Sequence, residues 1–411
     1  MKLLRCAEII LSVFCSIDTL ERSRISPRYF TRKRKMSFQD ILCCLISGCK
    51  MSTQVVLNEF FEKIGKTIHM TQQAYSKARS HFDHTPFSKA FYALVDEEYC
   101  VENFEKIRHF YDLLFVAIDG SIIPLPSFPA LHDEFGEVNG SPSARASIAL
   151  DVLNDRIIDA SLTPLSTDER TLAMGHIHAL SNKLLMDKTV FVFDRGYPSD
   201  ELINYLIGNN AKFIMRVRRK FSVLVDNSKM GSSIITLENG TEIRVIKFYL
   251  SSGEVETLIT NLFKMPTKRF KAFYHLRWPV ETKYDIVKNK LELPNFTGYS
   301  KNIIYQDFWI SMLLANVASI AKSESDEVVQ LKQAGKDNKY EYQSNLNLVI
   351  ATLRNRFADA VFSKNLLIRK IRINRIIAEI ARSAVPVRPD RAVPRKNARD
   401  VKFHHNKKSN V

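Results

Sequence analysis

The chain has 411 residues, of which 45% are hydrophobic and 25% charged, so it is long enough for a sizeable core and two or three structural units. Its 60 Lys and Arg residues against 44 Asp and Glu residues give a formal net charge of +16, which favours nucleic acid or another anionic surface as partner over a merely basic solubility balance. No stretch approaches the roughly 20 apolar residues of a membrane span, and the six cysteines contain no C-x2-C pair, which argues against a zinc site.

The first residues, MKLLRCAEIILSVFC, resemble a secretory signal peptide only superficially. Glu8 interrupts the apolar stretch, and no small-residue cleavage site precedes Asp18. We therefore expect a buried N-terminal helix and a cytoplasmic protein with no membrane among its partners.

Apolar residues at helical spacing dominate the next part of the chain. They occupy three segments, at 37–49, 52–65 and 71–82. Ser37 is a plausible N-cap of the first segment, and Gly48 and Gly65 are candidate helix ends.

A basic run precedes these helical segments. It consists of Arg32, Lys33, Arg34 and Lys35. Short helices with basic connections suit a small DNA-binding bundle, although a charge run is more often only a solvated face. We predict that residues 1–105 form a helical N-terminal DNA-binding domain in which these four side chains contact DNA.

The pattern changes near residue 110 to β-rich runs that alternate with helical ones. The predicted strands lie at 113–121, 144–153, 156–164, 188–194 and 211–218, and the predicted helices at 167–185 and 198–208. The order β-β-β-α-β-α-β is that of a ribonuclease-H-like core, a mixed sheet with helices on its faces. The predicted fold class is therefore mixed α+β, with residues 106–218 as the first part of this core.

The remaining chain divides by composition. Two β-like runs, at 241–250 and 254–262, predict an inserted β subdomain within an otherwise alternating core. The last 48 residues, 364–411, carry 14 Lys or Arg against 3 Asp or Glu, so the end of the chain is strongly basic. The predicted boundaries are 219–266 for the inserted β subdomain, 267–325 for the second part of the core, 326–384 for C-terminal helices, with a loop at 325–342, and 385–411 for a basic disordered tail.

Three acidic residues stand where a phosphodiester-cleaving site would need them. Asp119 ends the apolar run LLFVAIDGS, Asp194 ends TVFVFDRGY, and Glu281 lies on the helix predicted after the insertion. Hydrolysis or transfer of a phosphodiester needs an activated oxygen nucleophile and charge relief on the leaving oxygen, which two Mg²⁺ ions about 3.5–4 Å apart supply. Hard ions prefer carboxylate oxygens, so the three acids are predicted as catalytic residues and as ligands of two Mg²⁺ ions, for which Mn²⁺ can substitute.

A spaced signature surrounds the third acid. Tyr274, Arg277, Glu281 and Lys288 follow the pattern Y-x2-R-x3-E-x6-K, and their offsets fall on one side of a single helix. Arg277 and Lys288 are predicted to flank the carboxylate and contact DNA phosphates, and Tyr274 to bond a phosphate oxygen.

The two residues after Arg277 leave alternatives open. Trp278 either stacks on an unpaired base or anchors the core at the helix start. Pro279 cannot lie inside a regular helix, so either the helix begins near Trp278 or it bends there, and we favour the first. Elsewhere, His176 and His178 point to different sides of their predicted helix, which argues against a shared metal ion.

These motifs together resemble those of the DDE transposases of bacterial insertion sequences, specifically the insertion-sequence-four family. The family signature matches Tyr274, Arg277, Glu281 and Lys288, and its two catalytic aspartates match Asp119 and Asp194. The similarity extends from the basic run to about residue 320.

The resemblance implies a ribonuclease-H-like core interrupted by a β insertion, and cleavage at transposon ends by metal-activated water. It implies that the freed 3′-hydroxyl then attacks target DNA, that a homodimer holds two ends together, and that the protein works at the bacterial nucleoid. Some members of the family pass through a hairpin DNA end held by aromatic residues, for which Phe248 or Tyr249 of the insertion are the candidates here. Two alternatives remain: a catalytically silent DNA-binding regulator of transposition, and a stand-alone metal-dependent nuclease.

Overall fold

The computed structural model describes residues 2–47, 52–63, 70–250, 252–363 and 365–388. The helices are α1 (Lys2–Cys15), α2 (Ile17–Ser23), α3 (Phe38–Ile46), α4 (Thr53–Lys63), α5 (Gln72–Arg79), α6 (Thr85–Glu98), α7 (Pro129–Phe135), α8 (Glu169–Leu180), α9 (Asp200–Gly208), α10 (Val223–Asn227), α11 (Phe270–His275), α12 (Trp278–Asp285), α13 (Lys301–Gln333), α14 (Leu346–Val361) and α15 (Leu366–Arg382). The strands are β1 (Leu114–Pro124), β2 (Glu137–Val138), β3 (Ser141–Asp151), β4 (Arg156–Thr163), β5 (Thr189–Phe193), β6 (Lys212–Arg216), β7 (Gly231–Thr236), β8 (Glu242–Tyr249), β9 (Val255–Thr260), β10 (Tyr342–Ser344) and β11 (Ala384–Pro386).

The centre of the molecule is a mixed sheet with the strand order β4-β3-β1-β5-β6. The first three strands form the predicted antiparallel meander, and β5 and β6 continue parallel to β1. Strand β5 is buried at every position, which is why four of the five residues in its sequence, TVFVF, are apolar and the pattern does not alternate. This order and these directions confirm the predicted ribonuclease-H-like core.

The insertion extends the same sheet and does not form a separate one. Strand β9 pairs antiparallel with β6, β8 pairs with β9, and β7 forms the outer edge. The two predicted β runs correspond to β8 and β9. Strand β7 was not predicted, because its sequence, GSSIIT, has few apolar residues and alternates between exposed and half-buried positions, as an edge strand does.

The N-terminal helices share a core with the C-terminal ones. Helices α1 and α6 pack against α13, and α1 also contacts α14 and α15. The buried Arg79 at the end of α5 forms an ion pair with Asp307 of α13, with a 2.7 Å distance from Nη2 to Oδ1. The described N-terminal helices α1 and α6 therefore share a core with the C-terminal helices.

The C-terminal region differs from the prediction in two places. The loop expected at 325–342 is helical as far as Gln333, because Ser325 and Val329 remain buried and continue the inner face of α13. The predicted disordered tail begins with β11, which pairs with β10. Residues 389–411, most of that tail, lie outside the described residues.

Helix α13 has the length and apolar composition of a membrane-crossing helix, but 89% of its most apolar 18-residue window is buried inside the protein. It is therefore the central helix of the core.

Near the start of the chain, Ser37 caps α3 as predicted, in a capping box with Asp40. Gly48 and Gly65, the predicted helix ends, lie outside the described residues.

Candidate active site

The parallel pairing of β1 with β5 brings the two predicted aspartates to one place. Ala117 pairs with Val192, so the same register places Asp119 beside Asp194, the first residue after β5. The sequence suggested that Asp119 ends its strand, but it does not. Strand β1 runs on to Pro124 because β3 continues to pair with it on the other side.

The signature segment is not one straight helix. Helix α11 ends at His275 and α12 begins at Trp278, with Pro279 in its first turn, as favoured from the sequence. A π-helical turn at Ile286–Lys290 follows and carries Lys288. The expected single helical face is therefore wrong, because the proline and the π turn both reset the direction in which side chains point.

The signature side chains nevertheless meet the aspartates. The Tyr274 hydroxyl donates to Asp194 Oδ1 at 3.2 Å. Arg277 is buried and contacts Asp119 Oδ2 at 3.4 Å through Nη1, while its Nη2 contacts Glu281. The structure thus gathers residues from three distant sequence segments around one guanidinium.

Lys288 lies on the far side of Asp119 along β1. Its Nζ donates to Ser121 Oγ at 2.6 Å and to the carbonyl of Ile122 at 2.9 Å. Burial lowers the pKa of Lys288, while Asp119 acts in the opposite direction. The ammonium group is therefore within electrostatic range of that carboxylate.

The surroundings of Asp119 disfavour the ionised form of its carboxyl. Burial raises the pKa of this carboxyl to about 6, and the charges of Asp194 and Glu169 add to that effect. Arg277 and the backbone N–H of Gly120 act against the rise without cancelling it. Negative charge at this position is consequently under-compensated, as expected where a cation or a cationic group of a partner is to bind.

The three predicted carboxylates are of the ligand type that suits Mg²⁺, the metal implied by the resemblance. Carboxylate oxygens are the ligands that Mg²⁺ prefers, and the raised pKa of Asp119 marks a charge that a dication would stabilise. Across the ranges that the structure describes, no three His, Cys, Asp or Glu side chains already form a ligand set. Arg277 instead pairs with both Asp119 and Glu281 and neutralises part of their charge. The carboxylates therefore fit a Mg²⁺ ion by their chemistry, and in its absence the guanidinium supplies positive charge at the same place.

A fourth carboxylate, Glu169, was missed by sequence reasoning. It begins α8, and its Oε1 would lie 3.0 Å from a Cβ atom added to Gly120. Its Oε2 would lie 4.0 Å from a Cβ atom added to Gly196. Arg145 of β3 forms an ion pair with Glu169. The sequence signal was present but ambiguous, because an acidic residue in the first turn of a helix usually only complements the helix dipole.

His176 is connected to the backbone of Asp119 through one intervening side chain. It is buried, with Nδ1 2.7 Å from Asp159 Oδ2 and Nε2 2.9 Å from Ser147 Oγ. The Ser147 hydroxyl lies 3.4 Å from the carbonyl of Asp119, to which the Tyr284 hydroxyl also donates, at 2.8 Å. These contacts link His176, through Ser147, to the backbone of β1 that carries Asp119.

The remaining predicted DNA contacts are exposed or half-buried. Trp278 is 46% exposed beside the acidic site, so it is not a core anchor. Tyr249 is exposed and Phe248 half-buried at the end of β8. The basic run Arg32, Lys33, Arg34 and Lys35 is exposed in the connection between α2 and α3.

A family model for the transposase DDE domain matches residues 111–317, slightly more than half of the chain. The chain belongs to this family. The match includes β1 with Asp119, the segment after β5 with Asp194, and α12 with Glu281, and it confirms the predicted recognition as a DDE transposase of an insertion-sequence family.

Two further comparisons are with a curated relative and with a solved structure. A probable transposase for insertion sequence element IS5377 from Geobacillus stearothermophilus is 23% identical over 158 residues, which cover 35% of this chain and 42% of that protein. The chain thus matches less than half of the relative's length. The cryo-EM structure of the piggyBac transposase synaptic complex with hairpin DNA has a TM-score of 0.50 at 11% identity, covers 93% of this chain and 87% of its own, and is a likeness of fold.

Proposed function

We propose that this protein is an active DNA transposase that cleaves DNA at the ends of its insertion sequence and joins the freed 3′-hydroxyl to target DNA. The observation that supports this proposal is the meeting of three motifs. Arg277 contacts both Asp119 and Glu281, and Tyr274 hydrogen-bonds to Asp194. Acidic residues from three separate segments, held around one guanidinium beside a ribonuclease-H-like sheet, are more than a structural ion pair requires.

In the proposed reaction Asp119, Asp194 and Glu281 are the catalytic residues and hold two Mg²⁺ ions, for which Mn²⁺ can substitute. The ions would supply charge relief and lower the pKa of bound water. The chain's own part is to orient the carboxylates. The carbonyl of Asp119 is fixed by Tyr284, and Arg277 holds Glu281 toward the aspartates.

The other signature residues are proposed to bind DNA. Arg277 and Lys288 offer positive charge to phosphates beside the scissile bond, and the Tyr274 hydroxyl can turn from Asp194 to a phosphate oxygen. Trp278, nearly half exposed beside Glu281, is placed to stack on an unpaired base.

The partners follow from charge and from the reaction. A chain with a net charge of +16 suits terminal inverted repeats and target DNA, with the exposed run from Arg32 to Lys35 adding phosphate contacts. Joining two ends requires two active sites, so we propose a homodimer in the synaptic complex. The proposed location is the bacterial cytoplasm at the nucleoid.

The test is cleavage and joining on a DNA that carries the element's own ends, with Mg²⁺, for the unaltered chain and for Glu281→Ala. Nicks at the end junctions and joined products, both reduced at least about 1,000-fold in the variant, are expected because one of the three acids is then missing. Glu62→Ala removes an exposed helical glutamate from α4 and should cut like the unaltered chain.

The same assay separates the alternatives. Tight end binding without strand breakage by a folded, metal-exposed chain would contradict catalysis and leave a DNA-binding regulator. Cutting that needs no paired specific ends and gives no joined products would instead identify a stand-alone nuclease.

A further inference from the structure

A buried tyrosine hydroxyl at the edge of the acidic site has no hydrogen-bond partner among the described residues. Tyr197, three residues after Asp194, is 2% exposed, and its ring packs against Phe193 with centroids 5.3 Å apart. Among the residues that the structure describes, no group forms a hydrogen bond with its hydroxyl. An unpaired buried hydroxyl is costly, and the few that native proteins keep call for an explanation, often a ligand.

The groups around this hydroxyl belong to the acidic site. Burial raises the pKa of Tyr197, and the charges of Asp119, Glu169 and Asp194 raise it further while Arg145 opposes them. The hydroxyl is therefore within electrostatic range of all three carboxylates.

Glu169 lies at the same site. Arg145 pairs with it from β3, and its two oxygens face Gly120 and Gly196, which follow the two aspartates in sequence. The carboxylate would lie only 3.0 Å from a Cβ atom at Gly120, so it packs closely onto the backbone of β1. Neither Glu169 nor Tyr197 is needed to explain the signature contacts around Arg277.

We propose that the Tyr197 hydroxyl and the Glu169 carboxylate together bind the attacking hydroxyl group of the reaction. This inference rests on the proposed function. The attacking group is water in the cleavage step and the 3′-hydroxyl of the cut end in the joining step. In both steps the attacking oxygen gives up its proton and forms the new P–O bond, the bond from phosphorus to the leaving 3′-oxygen breaks, and the leaving oxygen takes a proton.

The chemistry of the pair selects this ligand over a phosphate. A tyrosine hydroxyl donates a hydrogen bond and a carboxylate accepts one, so together they fit a neutral group that both accepts and donates. A phosphate oxygen carries negative charge and would be repelled by Glu169 and the neighbouring aspartates. A water or an alcohol carries no such penalty.

The test uses Tyr197→Phe and Glu169→Gln in the full chain. Uncut ends report attack by water, and precut ends, which supply a 3′-hydroxyl, report joining. We expect single-turnover rates of both reactions to fall roughly 10- to 100-fold in each variant, because a misplaced nucleophile reacts slowly. End binding should stay within about twofold, and the melting temperature of Tyr197→Phe should not fall, because its hydroxyl has no partner to lose.

Two controls exclude a merely structural role. Tyr99→Phe removes a buried hydroxyl that donates to Asp151 at 2.7 Å, so its melting temperature should fall while its rates stay unchanged. Nicking in a methanol–water mixture gives free 5′-phosphate ends from attack by water and 5′-phosphate methyl esters from attack by methanol. The ratio of methyl ester to free phosphate should change in Tyr197→Phe and not in Tyr99→Phe.

The outcomes separate this inference from the function on which it rests. Full rates in both reactions for Tyr197→Phe, with an unchanged methanol ratio, would overturn it. Loss in nicking alone would identify water as the bound group, and loss in joining alone the 3′-hydroxyl. Absence of any cutting or joining by the unaltered chain would refute the proposed transposase activity itself, and this inference with it.

Discussion

Two clusters of charged side chains lie inside this protein, and they are built differently. In the first, Arg79 pairs with Asp307 at 2.7 Å, and its Nε also donates to Gln306 at 2.7 Å. In the second, Arg277 is shared between Asp119 and Glu281, and the pKa of Asp119 is raised to about 6. The first cluster matches one cation to one anion, whereas the second leaves carboxylates in excess, which indicates structure in one case and chemistry in the other.

The largest effect on stability is expected from breaking the matched cluster. Arg79→Met would leave the Asp307 carboxylate buried without the guanidinium, and we expect the free energy of unfolding to fall by about 3–5 kcal/mol. Urea denaturation measures this loss. Arg22→Met, which breaks an exposed pair with Asp18, should cost less than about 1 kcal/mol. Equal losses in both variants would remove the distinction between buried and exposed pairing.

The under-compensated cluster should respond in the opposite direction. Asp119 has a pKa of about 6 in the folded chain, above the ordinary 3.8, so its protonated form stabilises the fold. This contribution is fully present below about pH 4 and is lost as the pH rises through 6. Asp119→Asn should therefore abolish cleavage and yet raise the free energy of unfolding by about 1–3 kcal/mol at pH 8 in the presence of a chelator.

Denaturation at pH 4, 6 and 8 checks the sign. The difference between Asp119→Asn and the unaltered chain should be small at pH 4 and grow toward pH 8. Asp187→Asn, an exposed residue in the turn before β5, should show no such trend. A difference independent of pH would mean that the carboxyl is not under strain.

The sequence predicted most of the elements because their burial is local and periodic. The C-terminal helices predicted within 326–384 correspond to α14 and α15. The three catalytic candidates were found for the same reason, since each stands at a recognisable place in an apolar run or a signature. The polar end of α13 was missed because only Ser325 and Val329 of its last turns are buried.

Contacts across the chain were not predictable from local pattern. Arg79 and Asp307 are 228 residues apart, and nothing in either neighbourhood indicates its partner. Glu169 approaches Gly120 only because α8 packs beside β1. A single sequence reports which face of a segment is buried, but the groups that meet on that face are fixed by the packing of segments distant in the chain.

The smallest effect on stability, with a distinct effect on activity, is expected from Gly120→Ala. An added Cβ would meet Glu169 Oε1 at 3.0 Å and Cδ at 3.3 Å, so the side chain must shift by a few tenths of an ångström. Glu169 is partly exposed and can move, so the free energy of unfolding should change by less than about 1 kcal/mol. The single-turnover cleavage rate should nevertheless fall roughly tenfold, because the displaced carboxylate no longer orients the nucleophile.

Gly175→Ala is the matched control on the same helix as Glu169. A Cβ there has no neighbour within 4 Å, so alanine should stabilise α8 by about 0.5–1 kcal/mol and leave the cleavage rate unchanged. If Gly120→Ala cleaves as fast as Gly175→Ala, the close approach of Glu169 to β1 has no bearing on the chemistry. A rate loss confined to Gly120→Ala, without a loss of stability, would place Glu169 with the under-compensated cluster, because a residue of the matched kind would be expected to lose stability first.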